Sequence, residues 1–263
     1  MKRLAVVILG HSHLSSVVNH LATREAETDH NSPAIEYYVF NTIKHGVDFR
    51  FSVEDGAAIV LNPRIKSLVE ENIQNRDFIW LSMFGGNAHN ALTLLEHPRP
   101  FDFILPENVQ LPRIPKAELV PYSYIESFIH KMAELYILNT VCLRHAVMED
   151  VLHIESPPPN GDDKYVMEHL ENYFREQSSL PRIAPRILRY KLWRTHSQII
   201  KSACEANNIK FVDAPSEACD PEGYLVPSGY SGDSTHAGPW YGGLILKQVE
   251  KMYGLPYGGW SWL

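Results

Sequence analysis

Five short runs rich in β-branched and aromatic residues recur at 4–9, 35–40, 78–81, 151–154 and 209–212. Between them, the stretches 14–26, 63–74, 123–146, 165–177 and 187–206 carry apolar residues at helical spacing, and 239–253 closes the chain in the same way. Each apolar run has the length of a strand buried on both faces. Strand and helix in regular alternation then predict a parallel sheet of five strands, covered on both sides by the helices that connect them.

The 263 residues lie near the size at which one core stops growing. No repeat, low-complexity tail or linker divides them, so a single domain over 1–263 is expected. One stretch, at about 97–121, breaks the rhythm: Pro98, Pro100, Pro106, Pro112, Pro115 and Pro121 exclude a long regular element there. An irregular excursion over the surface is expected instead, either a lid or binding loop or a surface insertion without a role. The cluster Arg182, Arg186, Arg189, Lys191 and Arg194 reads as a solvated helix face, with an anion-binding surface as the sharper alternative.

Charge and cysteine usage narrow the function classes. With 24 Lys and Arg against 31 Asp and Glu, the formal charge of −7 repels nucleic acid and anionic lipid. The apolar run at 4–9 falls far short of the roughly 20 residues needed to cross a bilayer. Lys2 and Arg3 lead through it straight into Gly10, His11, Ser12 and His13 with no small-residue cleavage site, so a cytoplasmic protein without a membrane partner is expected. Cys142, Cys204 and Cys219 are odd in number and sit at no metal-type spacing, which argues against a disulfide framework and a zinc ribbon.

Ligands of open α/β sheets bind beyond the carboxyl ends of the strands. Four segments there carry chemistry: Gly10-His11-Ser12-His13 after the first strand, the stretch ending His45-Gly46 after the second, Gly85-Gly86-Asn87-Ala88-His89 after the third, and Asp233-Ser234-Thr235-His236 beyond the fifth. A serine hydroxyl needs an imidazole within hydrogen-bond reach, itself oriented by a carboxylate. Ser12, His236 and Asp233 supply those parts, and a spacing of three lets Asp233 and His236 face the same way on a turn. Donors for a developing oxyanion are the Ser12 backbone N–H, the Gly46 N–H and the Asn87 side-chain amide. Each residue also has a plain structural explanation: Ser12 or Asp233 as a helix cap, Gly46 as a turn glycine, His236 as a structural histidine.

The order of these blocks resembles that of the SGNH hydrolases, or GDSL-like esterases, along nearly the whole chain. The resemblance implies a three-layer α/β/α, flavodoxin-like fold, a catalytic Ser12 with Asp233 and His236, an oxyanion hole of Ser12, Gly46 and Asn87, and no metal or other cofactor. It implies an acyl or acetyl esterase acting through an acyl-enzyme on a small-molecule or carbohydrate ester, or an acyltransferase using the same centre. The segment Ser156-Pro157-Pro158-Pro159 also looks like one common in such proteins. The sequence departs from the family pattern at His11, where Asp usually precedes the serine, and at Ala88, where Asp usually follows the asparagine. His11, His13 and His89 are therefore possible modulators of the local field. The pattern is not Gly-x-Ser-x-Gly, because Leu14 stands where the second glycine would.

Two rivals remain. His11-x-His13 resembles the metal-binding pair of amidohydrolase-type barrels, with His89 and His236 to complete a site, although a barrel needs eight strands. A non-catalytic carbohydrate-binding or scaffold protein could use the same fold. Trp240, Tyr241, Tyr257, Trp260 and Trp262 would either stack on sugars or pack the last helix on the sheet, and packing is the expectation. Oligomeric state is not legible.

Overall fold

The computed structural model describes residues 3–24, 33–40, 50–52, 59–73, 76–178 and 180–263. In chain order its elements are β1 (Leu4–Gly10), α1 (Leu14–Leu21), β2 (Ile35–Phe40), β3 (Arg50–Ser52), β4 (Ile59–Leu61), α2 (Pro63–Asn72), β5 (Phe78–Met83) and α3 (Ala88–Thr93). There follow β6 (Phe101–Asp102), β7 (Glu118–Leu119), α4 (Tyr122–Ala146), β8 (Val151–Ile154), α5 (Asp163–Glu168), α6 (Asn172–Arg175), α7 (Arg186–Ala206), β9 (Lys210–Val212), α8 (Pro239–Tyr253) and β10 (Tyr257–Trp262).

The central sheet has six strands in the order β10-β2-β1-β5-β8-β9, every neighbouring pair parallel. The five expected strands are all present, and the count of five is corrected by β10, which pairs with β2 at the sheet edge. Its sequence, Tyr-Gly-Gly-Trp-Ser-Trp, lacks the β-branched run that marks the others, and the pairing register shifts between Tyr257 and Gly259. An open six-stranded sheet also removes the eight-stranded barrel that the metal-hydrolase rival requires.

Alternation along β1 divides the core between two helical layers. Val6 and Ile8 join a cluster with Val17 and Leu21 of α1 and Ile245 and Val249 of α8. Ala5, Val7 and Leu9 face the other way, toward Ile65 of α2, Leu143 of α4 and Ile200 of α7. The fold is therefore three-layer α/β/α, with α1 and α8 on one face and α2, α4 and α7 on the other. At Gly242 an added Cβ would lie 2.2 Å from the Ser16 carbonyl oxygen, so glycine lets α8 meet α1 backbone to backbone. That approach brings the loops preceding the two helices side by side.

The Pro-rich excursion is ordered against the body. Phe103 and Leu105 pack on Ile125 and Ile129 of α4 and on Leu188 and Leu192 of α7. Lys191 Nζ, fully buried, donates to Asp102 Oδ1 at 2.8 Å, Phe103 O at 3.1 Å and Pro112 O at 3.2 Å. Asp102 in turn accepts from the amides of Phe103 and Ile114. The solvated basic face expected here is thus corrected at Arg189 and Lys191, which are buried, whereas Arg182 and Arg186 are exposed as expected; all five basic residues pair with carboxylates. Lys191→Met removes one partner of a buried pair and strands Asp102, a change expected to cost about 3–5 kcal/mol in urea unfolding. A loss below about 1 kcal/mol would show that the pair does not anchor the excursion.

Candidate active site

The chain reverses its direction of winding between β1 and β5, which places a crevice at their carboxyl ends. Ser12 sits there, exposed, on the turn between β1 and α1. The turn is closed by Leu14 N donating to His11 O at 2.9 Å and Ser15 N donating to Ser12 O at 3.1 Å. Among the described residues the Ser12 amide and hydroxyl donate to nothing, and the helix begins from His13 without a side-chain cap. Ser12 is therefore not the N-cap of α1.

Asp233 and His236 meet on the loop before α8. Asp233 Oδ1 accepts from the amides of Thr235 at 2.9 Å and His236 at 2.7 Å, which folds the loop into a tight turn around the carboxylate. The other oxygen, Oδ2, lies 3.0 Å from His236 Nδ1. Burial works to raise the Asp233 pKa, but hydrogen bonds from the His236 ring and backbone outweigh it and hold the carboxyl well below its ordinary range. An ionised Asp233 fixes the imidazole proton on Nδ1 and leaves Nε2 as the acceptor nitrogen. Gly238, not Asp233, is the N-cap of α8.

Asn87 follows β5, and its Nδ2 lies 3.4 Å from His236 Nε2 and 3.3 Å from Thr235 Oγ1. Gly86 before it has φ +67°, and an added Cβ would strike the Tyr136 ring at 2.5 Å, so both conformation and space demand glycine. Ser156, which opens the Ser-Pro-Pro-Pro segment, donates from Oγ to Gly86 O at 3.2 Å and so braces this turn. Gly46 lies outside the described residues.

The three neighbouring histidines take different places. His11 lies edge-on to Phe84 and Tyr136, with ring centroids 4.9 and 5.8 Å away. The buried His13 ring is 5.0 Å from that of His236, and its pKa falls to about 3 because of burial first and the His236 charge second. His89 is buried against His196, with ring centroids 5.0 Å apart, and burial takes its pKa well below the ordinary value. His11 and His13 thus face different partners and do not converge as a ligand pair. Among the described residues, one set of three His or carboxylate ligand atoms lies within 4.8 Å, from Glu171, Asp233 and His236. All three side chains in it are engaged by protein partners.

Glu171 was not legible as part of this site. The expected helix at 165–177 is corrected to two, α5 and α6, because Glu171 turns extended at φ −70°, ψ 154°. There its carboxylate meets the hydroxyls of Ser234 and Thr235. Of the terminal aromatics, Tyr241 and Tyr257 are buried as expected for packing and Trp260 packs half-buried against the core, whereas Trp240 and Trp262 are exposed.

No family model matches the chain, and no curated protein matches it in sequence. Among solved structures it is similar to a GDSL-like lipase from Bacteroides thetaiotaomicron, at 13% identity and TM-score 0.37, over 95% of this chain and 89% of that one. It is likewise similar to a carbohydrate acetylesterase from Sinorhizobium meliloti, at 11% identity and TM-score 0.37, over 96% and 99% of the two chains. An acetyl xylan esterase from Geobacillus stearothermophilus gives 11% identity and TM-score 0.35, over 97% and 95%. Identity and superposition are low in all three.

Proposed function

We propose that this chain is a serine-dependent carboxylic ester hydrolase of the SGNH type, with a small acyl ester such as an acetylated carbohydrate as its substrate. The observation that carries the reading is the Asp233–His236 pair, whose Nε2 lies 3.4 Å from the Asn87 amide nitrogen and whose ring lies 5.0 Å from that of His13, the residue next to the exposed Ser12. Ser12 Oγ attacks the acyl carbon and passes its proton to His236 Nε2, while Asp233 holds the imidazole and stabilises the imidazolium. The carbonyl oxygen becomes an oxyanion within reach of the Ser12 amide and Asn87 Nδ2, with Gly46 as the third donor. Collapse of the tetrahedral intermediate expels the alcohol with the proton from Nε2. Water then repeats the sequence on the acyl-enzyme and restores Ser12.

The test is release of p-nitrophenol from p-nitrophenyl acetate by chelator-treated protein, with Ser12→Ala beside it. Turnover that survives the chelator and disappears in the variant is expected; turnover unchanged in the variant would overturn the reading. Asn87→Ala is expected to fold and to lose about 10²- to 10³-fold in kcat, the usual cost of one oxyanion donor. Full activity in that variant would remove Asn87 from the mechanism.

A further inference from the structure

Glu171 heads a chain of hydrogen bonds that ends on the Asn87 amide. Thr235 Oγ1 donates to Glu171 Oε1 at 3.0 Å, and Asn87 Nδ2 donates to Thr235 Oγ1 at 3.3 Å. Ser234 Oγ donates to the second carboxylate oxygen, Glu171 Oε2. The direction of the links through Glu171 and Thr235 is forced. A carboxylate only accepts, so the threonine hydroxyl spends its one proton on Glu171. The other acceptor in reach, His236 Nδ1 at 3.3 Å, already carries a proton in its bond to Asp233. Thr235 Oγ1 is left able only to accept, and it therefore selects the NH₂ end of the Asn87 amide. At the far end Asn90 Nδ2 donates to Asn87 Oδ1 at 3.4 Å.

We propose that Glu171 and Thr235 are positioning residues that fix the orientation of the Asn87 amide, so that its NH₂ end faces the reacting carbonyl. The proposal rests on the ester-hydrolase reading of the same site. An asparagine amide has two orientations of nearly equal shape, and the flipped one would aim a carbonyl dipole at the developing oxyanion. One Nδ2 proton is held by Thr235; the other lies toward His236 Nε2 at 3.4 Å in the free protein. Once Nε2 takes the Ser12 proton it no longer accepts, and the second Nδ2 proton is free for the oxyanion. The same transfer that creates the anion thereby releases its donor.

The test compares Thr235→Val with Thr235→Ser, each in the native and Asn87→Ala backgrounds. Thr235→Val is expected to lower kcat about tenfold, the worth of one oriented hydrogen bond, with KM changed by less than about twofold. Thr235→Ser keeps the hydroxyl and is expected to restore kcat. In the Asn87→Ala background Thr235→Val should have no further effect, because the group it orients is gone. An equal loss in both backgrounds would overturn the proposal. A second readout needs no turnover: the Asn87 side-chain amide pair in the ¹⁵N NMR spectrum, identified by its absence in Asn87→Ala. Thr235→Val and Glu171→Gln should both shift that pair, and Thr235→Ser should return it. A pair unmoved by Thr235→Val overturns the relay, whereas a shifted pair in a protein without esterase activity overturns the hydrolase reading and leaves the relay standing.

Discussion

Ser12→Ala and His236→Ala are each expected to reduce the turnover of an activated ester by about 10⁶-fold, to the same low residual, because the two act as one unit. The equality matters more than the size. If Ser12 attacks and His236 takes its proton, removing either group ends the same step, and the double variant Ser12→Ala with His236→Ala should be no slower than the single ones. Asp233→Asn leaves the geometry in place but lets the imidazole adopt the wrong tautomer, with an expected loss of about 10⁴-fold. Among the described residues Ser12 Oγ makes no hydrogen bond to His236; in serine enzymes this contact often tightens only with substrate bound. Single-turnover kinetics on proteins with matching circular dichroism check the prediction. A Ser12→Ala protein retaining a tenth or more of the native rate would remove Ser12 as nucleophile, and additive losses would mean that the two residues serve separate steps.

How far sequence led to this site depends on the kind of signal each part carries. The strands at 35–40 and 151–154 stand out as short runs of β-branched, apolar and aromatic residues, and their expected bounds match the structure to the residue. The β10 strand was hidden because Gly258 and Gly259 interrupt its aromatic residues, a composition that signals a turn until β2 offers it an edge. Asp233 and His236 were legible because their spacing of three is a local property that one turn realises. Glu171 was not, since its tie to Thr235 spans 64 residues and no local pattern marks it. Lys191 shows the same limit. A lysine on a helix reads as solvated, and only the excursion folded over α7 reveals it as a buried ion-pair partner.

Acid should unfold this protein early, through histidines that sequence gave no reason to count together. His13, His153 and His196 are buried, and burial lowers their pKa values to about 3, about 3 and about 4 from an ordinary 6.5. In the unfolded chain each takes up its proton as pH falls through 6.5, while the folded protein holds it neutral. The unfolded state therefore binds more protons below pH 6.5, and stability is lost as pH falls, down to the folded values near 4 and 3. Between pH 7 and pH 5 each histidine costs about 2 kcal/mol, and the three together about 6 kcal/mol. Asp233, whose carboxyl is held low, adds its own loss only at lower pH. The buried Glu155, pushed up by burial, acts in the opposite sense but is one group against these three and His89, which burial lowers as well. Against a typical total of about 5–15 kcal/mol, the histidine effect brings unfolding within reach near pH 5. Urea unfolding at pH 7.5, 6 and 5 should show a midpoint that falls steeply across the series, and a flat series would mean that these rings are hydrated or protonated in the folded state. The same slope bears on the mechanism. An acid limb in the pH–rate profile reports a histidine base only over the range where the fold survives, so activity regained on return from pH 5 to pH 8 at the rate of refolding would assign that limb to unfolding instead.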